Sequence, residues 1–330
     1  MTNPCGAEHM KKIGLVGIYF PGAYETLHAN VPEGFELVDV LSKEEYGKLA
    51  DCEYLISRLN IDPDVINWTP NVRFWQRWGV GYDHVDLKAW GERGIPIAVC
   101  TGVNSGIVAE LAVMLMLAGY RNLLQINRQM RTGHWPRTEY FGRSFMIKGK
   151  TVGVLGLGNI GKKVAKLVSA FGANVIYYDI ERQTEEEQAN GYQYVDFDTL
   201  LAQSDILTIH CPLNEETKGY ISWEQFKKMK SSCMLINTAR GPIVDEEALI
   251  DALTTGKIAT AGLDTYEKEP LPADHPLLTL DNVVASAHAG GNTKDNDINM
   301  VNYVYSNILA FDQGRPLNAE RDVVNAEYLK

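Results

Sequence analysis

Short apolar runs alternate with helical patterns along most of the chain, and this alternation constrains the fold more than any other feature. Runs such as TVGVL, ILTIH and CMLIN are apolar almost continuously rather than at every second residue. Strands with both faces covered have this character, and they occur in parallel sheets flanked by crossover helices. The pattern therefore predicts an α/β protein with doubly wound parallel sheets.

The length of the chain predicts two domains. Single cores stop growing beyond roughly 250 residues, and this chain has 330. A long, strongly apolar segment, residues 105–133, is typical of a single helix that bridges two domains or is buried between them. Asn104 or Ser105 could cap this helix.

Charge and cysteine content narrow the class of protein. The net charge of −11 argues against a nucleic acid or an anionic membrane as the main partner. The apolar run at 109–119 is too short to cross a bilayer, and the chain starts without a signal-peptide pattern. Five scattered cysteines without a CxxC pair predict neither a zinc site nor a disulfide framework. We therefore expect a soluble cytoplasmic protein without a metal.

A glycine-rich turn, GLGNIG, follows one predicted strand and opens a helical pattern. Gly156, Gly158 and Gly161 have the spacing that turns tightly, admits a pyrophosphate and packs the helix on the strand. The next strand ends in Asp179, which can accept both ribose hydroxyls of adenosine and would repel a 2′-phosphate. The sequence predicts a dinucleotide site that prefers NAD to NADP, although Arg182 lies close enough to weaken that preference.

Three later segments each end a strand-like run with ionisable residues. They carry Arg240, then Asp264 with Glu269, and then His288. Ligand sites of open parallel sheets lie beyond the carboxyl ends of the strands, so we expect these residues at one edge. An arginine can hold the carboxylate of a 2-oxo acid and polarise its carbonyl, and a histidine can protonate the carbonyl oxygen. Glu269 would orient the imidazole. Together the three residues predict carbonyl reduction.

From about residue 50 to residue 315, the chain resembles the D-isomer-specific 2-hydroxyacid dehydrogenases. The resemblance rests on the motifs above and on RWGVGYDHVD, NSGIVAE, HCPLNEETKGYI and HAGGNT. It implies a Rossmann NAD-binding domain, residues 103–289, inserted into a flavodoxin-like substrate-binding domain, residues 1–102 and 290–330. It also implies that the protein is an NAD-dependent oxidoreductase.

The resemblance also assigns roles to individual residues. Arg240 would bind the substrate, Glu269 and His288 would form the acid/base pair, and Asp264 would hold the nicotinamide amide. The backbone N–H groups of Val80 and Gly81 would grip the substrate carboxylate. The cofactor residues it implies are Gly156, Gly158, Asn159, Ile160, Gly161, Asp179, Pro212, Thr217, Thr238 and Asp264. The substrate residues are Arg58, Trp78, Val80, Gly81 and Arg240.

Two positions test how closely the chain follows the family. The family usually has proline before the catalytic histidine, and this chain has Ala287, which leaves the backbone freer. Thr293 is retained, so we expect an intact loop and a catalytic His288. Formate dehydrogenases of the same superfamily use glutamine where this chain has Glu269, which disfavours that activity.

The aromatic, basic stretch 131–150 reads as a loop or arm. Trp135, Tyr140 and Phe141 need burial, either within the chain or at a subunit interface. Because members of the family are typically homodimers through the cofactor domain, we expect a homodimer that uses this arm.

Substrate identity is the least determined property. Arg58 and Arg77 occupy positions that resemble phosphate-binding arginines of 3-phosphoglycerate dehydrogenases, whereas Trp78 is bulkier than the residue found there. Small uncharged 2-oxo acids such as pyruvate, glyoxylate or hydroxypyruvate are favoured over phosphorylated or dicarboxylic ones. An NAD-sensing, corepressor-like binding protein is the alternative of another class. A methyltransferase would explain the glycines but not Arg240, Glu269 and His288.

Overall fold

The computed structural model describes residues 10–58 and 61–329, which form two compact units. One comprises the described residues within Met1–Asn104 and Asn292–Lys330, and the other is Ser105–Gly291. The unit boundaries thus fall after residues 104 and 291, where the sequence predicted 102 and 289. We call the two the discontinuous unit and the continuous unit.

The helices and strands follow one another in the alternation expected of an α/β fold. The strands are β1 (Lys11–Val16), β2 (Phe35–Val40), β3 (Tyr54–Ser57), β4 (Phe74–Arg77), β5 (Ile97–Ala98), β6 (Thr151–Leu155), β7 (Asn174–Tyr178), β8 (Gln193–Tyr194), β9 (Ile206–Ile209), β10 (Met234–Asn237), β11 (Thr260–Leu263) and β12 (Val283–Ala285). The α-helices are α1 (Pro21–Ala29), α2 (Leu87–Glu92), α3 (Ser105–Tyr120), α4 (Leu123–Arg131), α5 (Asn159–Ala170), α6 (Thr184–Asn190), α7 (Phe197–Gln203), α8 (Trp223–Lys228), α9 (Glu246–Thr254), α10 (Pro276–Thr279) and α11 (Lys294–Asp312). Short 3₁₀ helices span Lys43–Asp51, Pro63–Trp68, Phe141–Arg143, Gly241–Ile243, Glu320–Asp322 and Ala326–Tyr328.

The discontinuous unit is built on a five-stranded parallel sheet in the order β2-β1-β3-β4-β5. This is the strand order of flavodoxin-like folds. The late helix α11 belongs to the core of this unit, where Val304 and Ile308 are fully buried with Phe74. Beyond α11, the Asn325 side chain accepts a hydrogen bond from Ile97 N at 2.8 Å. Residues from both ends of the chain therefore complete one core.

The continuous unit has a seven-stranded parallel sheet in the order β12-β11-β10-β9-β6-β7-β8. Its first strand, β6, lies between β7 and β9, so that β7 and β8 follow on one side of it and β9 to β12 on the other. This is the doubly wound Rossmann order with a seventh strand added at one edge, and its ligand crevice lies where the order reverses, beyond the ends of β6 and β9. The predicted fold class is confirmed.

The long helix predicted over 105–133 is wrong as a single helix. It begins at Ser105, as expected, but α3 ends at Tyr120, and α4 leaves at 63° to it. Asn122 adopts a left-handed conformation, φ 51°, which asparagine tolerates better than most residues. Its side-chain amide donates to Arg143 O, so the bend is tied to the following arm. Among the described residues, α3 and α4 meet the length and hydropathy criteria for a membrane span only as this bent pair.

Candidate active site

The glycine turn after β6 is shaped by close backbone packing. Gly156 has φ +91°, and a Cβ there would lie 2.8 Å from Cys211 N. A Cβ on Gly161 would lie 2.1 Å from Gly156 O, so α5 can approach β6 only with glycine at 161. A Cβ on Gly158 would meet nothing within 4 Å. The first and third glycines thus serve packing, and the second leaves open space at the N-terminus of α5.

Asp179 lies beside this turn at the end of β7. Its Oδ2 atom accepts a hydrogen bond from Leu157 N at 2.6 Å, and Oδ1 accepts one from Glu181 N at 3.3 Å. The carboxylate is therefore fixed between the glycine turn and the loop that follows β7. A carboxylate has further lone pairs, which suit the hydroxyls of an adenosine ribose.

Other predicted cofactor residues fall around the same edge of the sheet. Asn159 and Ile160 are the first residues of α5, where helix N–H groups favour a phosphate. The hydroxyl of Thr217 donates to Pro212 O at 2.6 Å and accepts from Asn214 N, so it braces the loop after β9. Within the described residues, the buried hydroxyl of Thr238 has no hydrogen-bond partner. The open space at Gly158, the fixed carboxylate of Asp179 and the unpaired hydroxyl of Thr238 together suit the binding of a dinucleotide.

Asp264, at the end of β11, organises the loop that carries His288. Its buried carboxylate accepts hydrogen bonds from Ala289 N and Gly290 N, both at 2.9 Å. Its carbonyl accepts from His288 N at 2.8 Å. These three bonds hold His288 in a left-handed conformation, φ 50°. The predicted contact to nicotinamide would therefore use a carboxylate that already supports the loop.

Glu269 and His288 are brought into direct contact. The Nδ1 atom of His288 lies 2.6 Å from Oε2 of Glu269, and Oε1 accepts from Tyr266 N at 3.0 Å. Partial burial disfavours ionisation of Glu269, but the hydrogen bonds from His288 and Tyr266 and the charge of Arg240 outweigh it and lower the pKa of the carboxyl. The pair is thus a carboxylate that orients and supports an imidazole.

Arg240 follows β10, at the start of a short 3₁₀ helix. Its Nη1 donates to Ala239 O at 2.7 Å, and its own carbonyl accepts from the Asn237 side chain at 2.9 Å. A Cβ on the next residue, Gly241, would lie 1.9 Å from the carbonyl carbon of Tyr266. The loops after β10 and β11 therefore touch at backbone level, which brings Arg240 near Glu269.

Comparisons with known proteins agree with this geometry. Residues 113–290 match the family model for the "D-isomer specific 2-hydroxyacid dehydrogenase, NAD binding domain". A glyoxylate reductase of Thermofilum pendens is 42% identical over 82% of this chain and 80% of its own length. The chain belongs to the D-isomer specific 2-hydroxyacid dehydrogenase family. It is an NAD-dependent oxidoreductase that acts on 2-hydroxy acids.

Two further relatives of this dehydrogenase show the range of the family. A D-3-phosphoglycerate dehydrogenase of Archaeoglobus fulgidus is 42% identical over 82% of this chain, but the match spans only 50% of that protein. The crystal structure of apo D-mandelate dehydrogenase from Rhodotorula graminis superposes with a TM-score of 0.84. It is 29% identical, and the match covers 94% of this chain and 97% of that one.

Apart from Arg240, the predicted substrate residues of the dehydrogenase lie in the discontinuous unit. The guanidinium of Arg58 lies 3.8 Å from the ring centroid of Phe20, and its Nη1 donates to Ile18 O at 3.2 Å. Trp78 packs edge-on against Tyr19, with ring centroids 5.6 Å apart. These contacts define one aromatic cluster beyond β1, β3 and β4.

Val80 and Gly81 lie in the loop after β4, and Arg77 fixes that loop. The buried guanidinium of Arg77 donates from Nε and Nη2 to Gly81 O, at 3.2 and 3.1 Å. Its Nη1 donates to Ser57 Oγ at 3.2 Å. Two of the Arg77 donors therefore hold the carbonyl of Gly81, whose N–H was predicted to grip a carboxylate.

Two residues that support the site, Gly241 and Tyr266, were not predicted from any local sequence pattern. Gly241 permits the close approach of the two loops, and Tyr266 donates its N–H to Glu269 and its hydroxyl to Ser286 O at 2.7 Å. Glycine before proline is common in ordinary turns, so the local sequence does not mark Gly241 as a packing residue. Only the position of β11 beside β10 shows that a side chain at 241 would collide with Tyr266.

Proposed function

We propose that this dehydrogenase reduces a small, uncharged 2-oxo acid of the glyoxylate or hydroxypyruvate type to the corresponding 2-hydroxy acid, with the D configuration where the product is chiral. His288 is the acid, Glu269 supports it, and Arg240 binds the carboxylate and polarises the carbonyl. The observation that carries the proposal is the 2.6 Å contact between His288 Nδ1 and Glu269 Oε2, in the unit that also carries the glycine turn.

The glycine turn, Asp179 and Thr238 would hold NADH, which would supply a hydride to the carbonyl carbon of the substrate. The residues of this chain then have to supply one proton to the carbonyl oxygen and to neutralise the carboxylate. Because Nδ1 of His288 is committed to Glu269, proton transfer falls to the other ring nitrogen, Nε2. Ionised Glu269 stabilises the imidazolium before transfer, and the Arg240 guanidinium offers two parallel donors to the carboxylate.

The preference for an uncharged substrate rests on the discontinuous unit. A phosphorylated acid needs additional cations that can reach its second anionic group. Arg77 is buried, and its donors bind Gly81 O and Ser57. The bulk of Trp78, packed against Tyr19, further reduces room for a large substrate. The glyoxylate reductase of T. pendens, matched over most of its length, supports the same choice.

A panel of 2-oxo acids tests the proposal. Glyoxylate, hydroxypyruvate, pyruvate and 3-phosphohydroxypyruvate are each incubated with the full chain and NADH, and loss of NADH absorbance is followed. We expect the highest kcat/KM with glyoxylate or hydroxypyruvate. The highest value with 3-phosphohydroxypyruvate would overturn the substrate assignment. Tight NADH binding without any turnover would favour the corepressor-like alternative.

We further propose that the protein is a homodimer. Trp135 and Phe141 are 71% and 88% exposed in the isolated chain, so the arm 131–150 does not bury them as packing within the chain would require. Aromatic and arginine side chains of this kind are enriched at interfaces. Light scattering on the purified protein should give twice the mass of one chain, and the double variant W135A/F141A should give a lower mass. A wild-type monomer would contradict the proposal.

We also propose a cytoplasmic location. Cys52, Cys100, Cys211 and Cys233 are all free thiols, and three of them are buried. Free thiols of this kind are expected in a reducing compartment. Fractionation of the source cells, with detection by an antibody, tests the location; recovery in a secreted fraction would contradict it.

A further inference from the structure

A hydrogen-bonded clamp centred on Glu187, in α6, joins this helix to β7 and to the loop that follows β7. Arg182 donates from Nε to Glu187 Oε1 and from Nη2 to Oε2, both at 2.8 Å. The hydroxyl of buried Tyr177 donates to the same Oε1 at 2.6 Å and accepts from Gln183 N at 2.8 Å. The carboxylate of Glu187 is thus held on one side by the core and binds the guanidinium with both oxygens.

This clamp differs from an ordinary surface ion pair. Isolated exposed pairs contribute little because two long side chains must be ordered to form them. Here Tyr177 fixes the carboxylate in advance, the Glu187 side chain is only 17% exposed, and the Arg182 guanidinium also lies 5.5 Å from the Tyr194 ring centroid. The hydrogen bonds from Arg182 and Tyr177 lower the pKa of Glu187 to about 2, so the clamp is charged throughout the physiological range.

The clamp lies directly after the residue that receives the adenosine ribose. Asp179 ends β7, and Arg182 follows three positions later in the same loop. In dinucleotide-binding folds, an arginine near this point accommodates the 2′-phosphate of NADP. The chain therefore possesses the arginine that an NADP site needs, but its Nε and Nη2 donors and its charge are engaged by Glu187.

We propose that Glu187 is a specificity-determining residue, which excludes NADP by keeping the Arg182 guanidinium engaged. Asp179 disfavours the 2′-phosphate by its own charge, and Glu187 adds a second barrier by withholding the cation that would offset that charge. The inference concerns cofactor choice only and holds whichever 2-oxo acid is reduced.

The test measures the binding of NADPH and NADH to the protein by fluorescence titration, without substrate. In E187Q, the side-chain oxygen can still accept from Tyr177, but the guanidinium loses its ionic partner. We expect NADPH affinity to rise about tenfold, the size of one charge-assisted hydrogen bond to a phosphate, with a much smaller change for NADH. The double variant E187Q/R182Q should lose this gain.

E186Q is the matched control. Glu186 lies on the same helix and contacts Lys162 at 3.3 Å and the Asn190 side chain at 2.9 Å, so its replacement removes the same charge without opening the clamp. An equal NADPH gain in E186Q would show a general charge effect and overturn the proposal. A gain in E187Q that persists without Arg182 would do the same, as would no gain at all in folded E187Q.

The single variant R182Q keeps the proposal testable if E187Q does not fold. Because Arg182 is withheld in the wild type, R182Q should leave NADPH affinity unchanged. A several-fold loss of NADPH affinity would mean that Arg182 already contacts the 2′-phosphate, and the proposal would be wrong.

Discussion

The two units of the dehydrogenase employ their polar residues differently. In the continuous unit, backbone N–H groups hold Asp264 and Glu269, and His288 remains half exposed at the edge of the sheet. In the discontinuous unit, buried polar side chains bind one another, as Asn307 does when it donates to Gln76 and Asp322, both at 2.9 Å. One unit presents reactive groups on a braced loop, and the other uses polar groups to fix its own fold.

This difference implies a division of labour. Substitutions at the braced loops of the continuous unit should change the rate of the chemical step. Substitutions in the discontinuous unit should alter which acid is accepted, with smaller effects on rate. The following experiments probe this division, from the largest expected effect to the smallest.

His288→Asn should have the largest effect. Asparagine tolerates the left-handed backbone at 288, so the variant should fold, but it cannot deliver a proton. We expect kcat for 2-oxo acid reduction to fall by about 10²–10⁴. Stopped-flow reduction with NADH, together with NADH titration to verify an intact cofactor site, measures it. Turnover near the wild-type rate would remove His288 from the mechanism.

Arg240→Gln should have the second-largest effect. We expect kcat/KM to fall by roughly 10²-fold because a bidentate charged contact to the substrate carboxylate is lost. NADH affinity should be retained. Arg121→Gln, an exposed position of the same unit, is the matched control and should leave kcat/KM unchanged. Equal losses in the two variants would argue against a specific role for Arg240.

The pH dependence of the reaction should distinguish the two directions. The lowered pKa of Glu269 means that this carboxylate stays ionised from pH 6 to pH 9, so it does not itself titrate there. Reduction needs imidazolium and should decline with rising pH by up to about tenfold per unit, whereas oxidation should increase. Initial rates in both directions test this. A reduction rate that rises steadily across the range would contradict the acid role of His288.

Arg58→Gln should have a smaller effect. In the discontinuous unit this guanidinium is already engaged by Ile18 O and the Phe20 ring. We expect kcat/KM for glyoxylate to fall by less than about tenfold. Kinetics on glyoxylate and 3-phosphohydroxypyruvate measure the effect on each. A loss of several hundred-fold confined to the phosphorylated acid would identify Arg58 as a phosphate ligand and weaken the division proposed above.

The smallest effect concerns stability in the continuous unit. Burial lowers the pKa of His210 to about 3, and its Nε2 lies 2.7 Å from Thr208 Oγ1. Folding favours the neutral imidazole of His210. Its contribution to the free energy of unfolding is therefore complete above the unfolded pKa of about 6.5 and is lost progressively as pH falls toward 3. Between pH 7.5 and 5.5, wild type should lose about 1 kcal/mol more unfolding free energy than His210→Gln.

Urea unfolding at the two pH values measures that difference. His84→Gln, at an exposed histidine, is the control and should show the same pH dependence as wild type. If His210→Gln and wild type lose equal stability on acidification, His210 is not buried in the neutral form.

Local spacing was enough to predict the glycine turn, Asp179 and the strand ends that carry Arg240, Glu269 and His288. These features depend on residues close together in sequence. The bend at Asn122 was not predicted because α3 and α4 are both good helical patterns and only two residues, of which Asn122 is left-handed, separate them. The partner of Arg182 was also not predicted, since it depends on Tyr177 placing Glu187 from the core side. Contacts between neighbouring elements, rather than composition, determined these outcomes.

The path of the chain has a consequence for biosynthesis. Residues 105–291 are contiguous, so the nucleotide-binding half can fold as soon as it has left the ribosome. The other half must wait, because α11 and Asn325 supply part of its core and its edge. During translation its first five strands are therefore synthesised long before their partners and stay exposed to chaperones and proteases. A nascent chain halted when residue 291 has just emerged from the ribosome should already protect residues 105–291 from protease, but not the preceding residues.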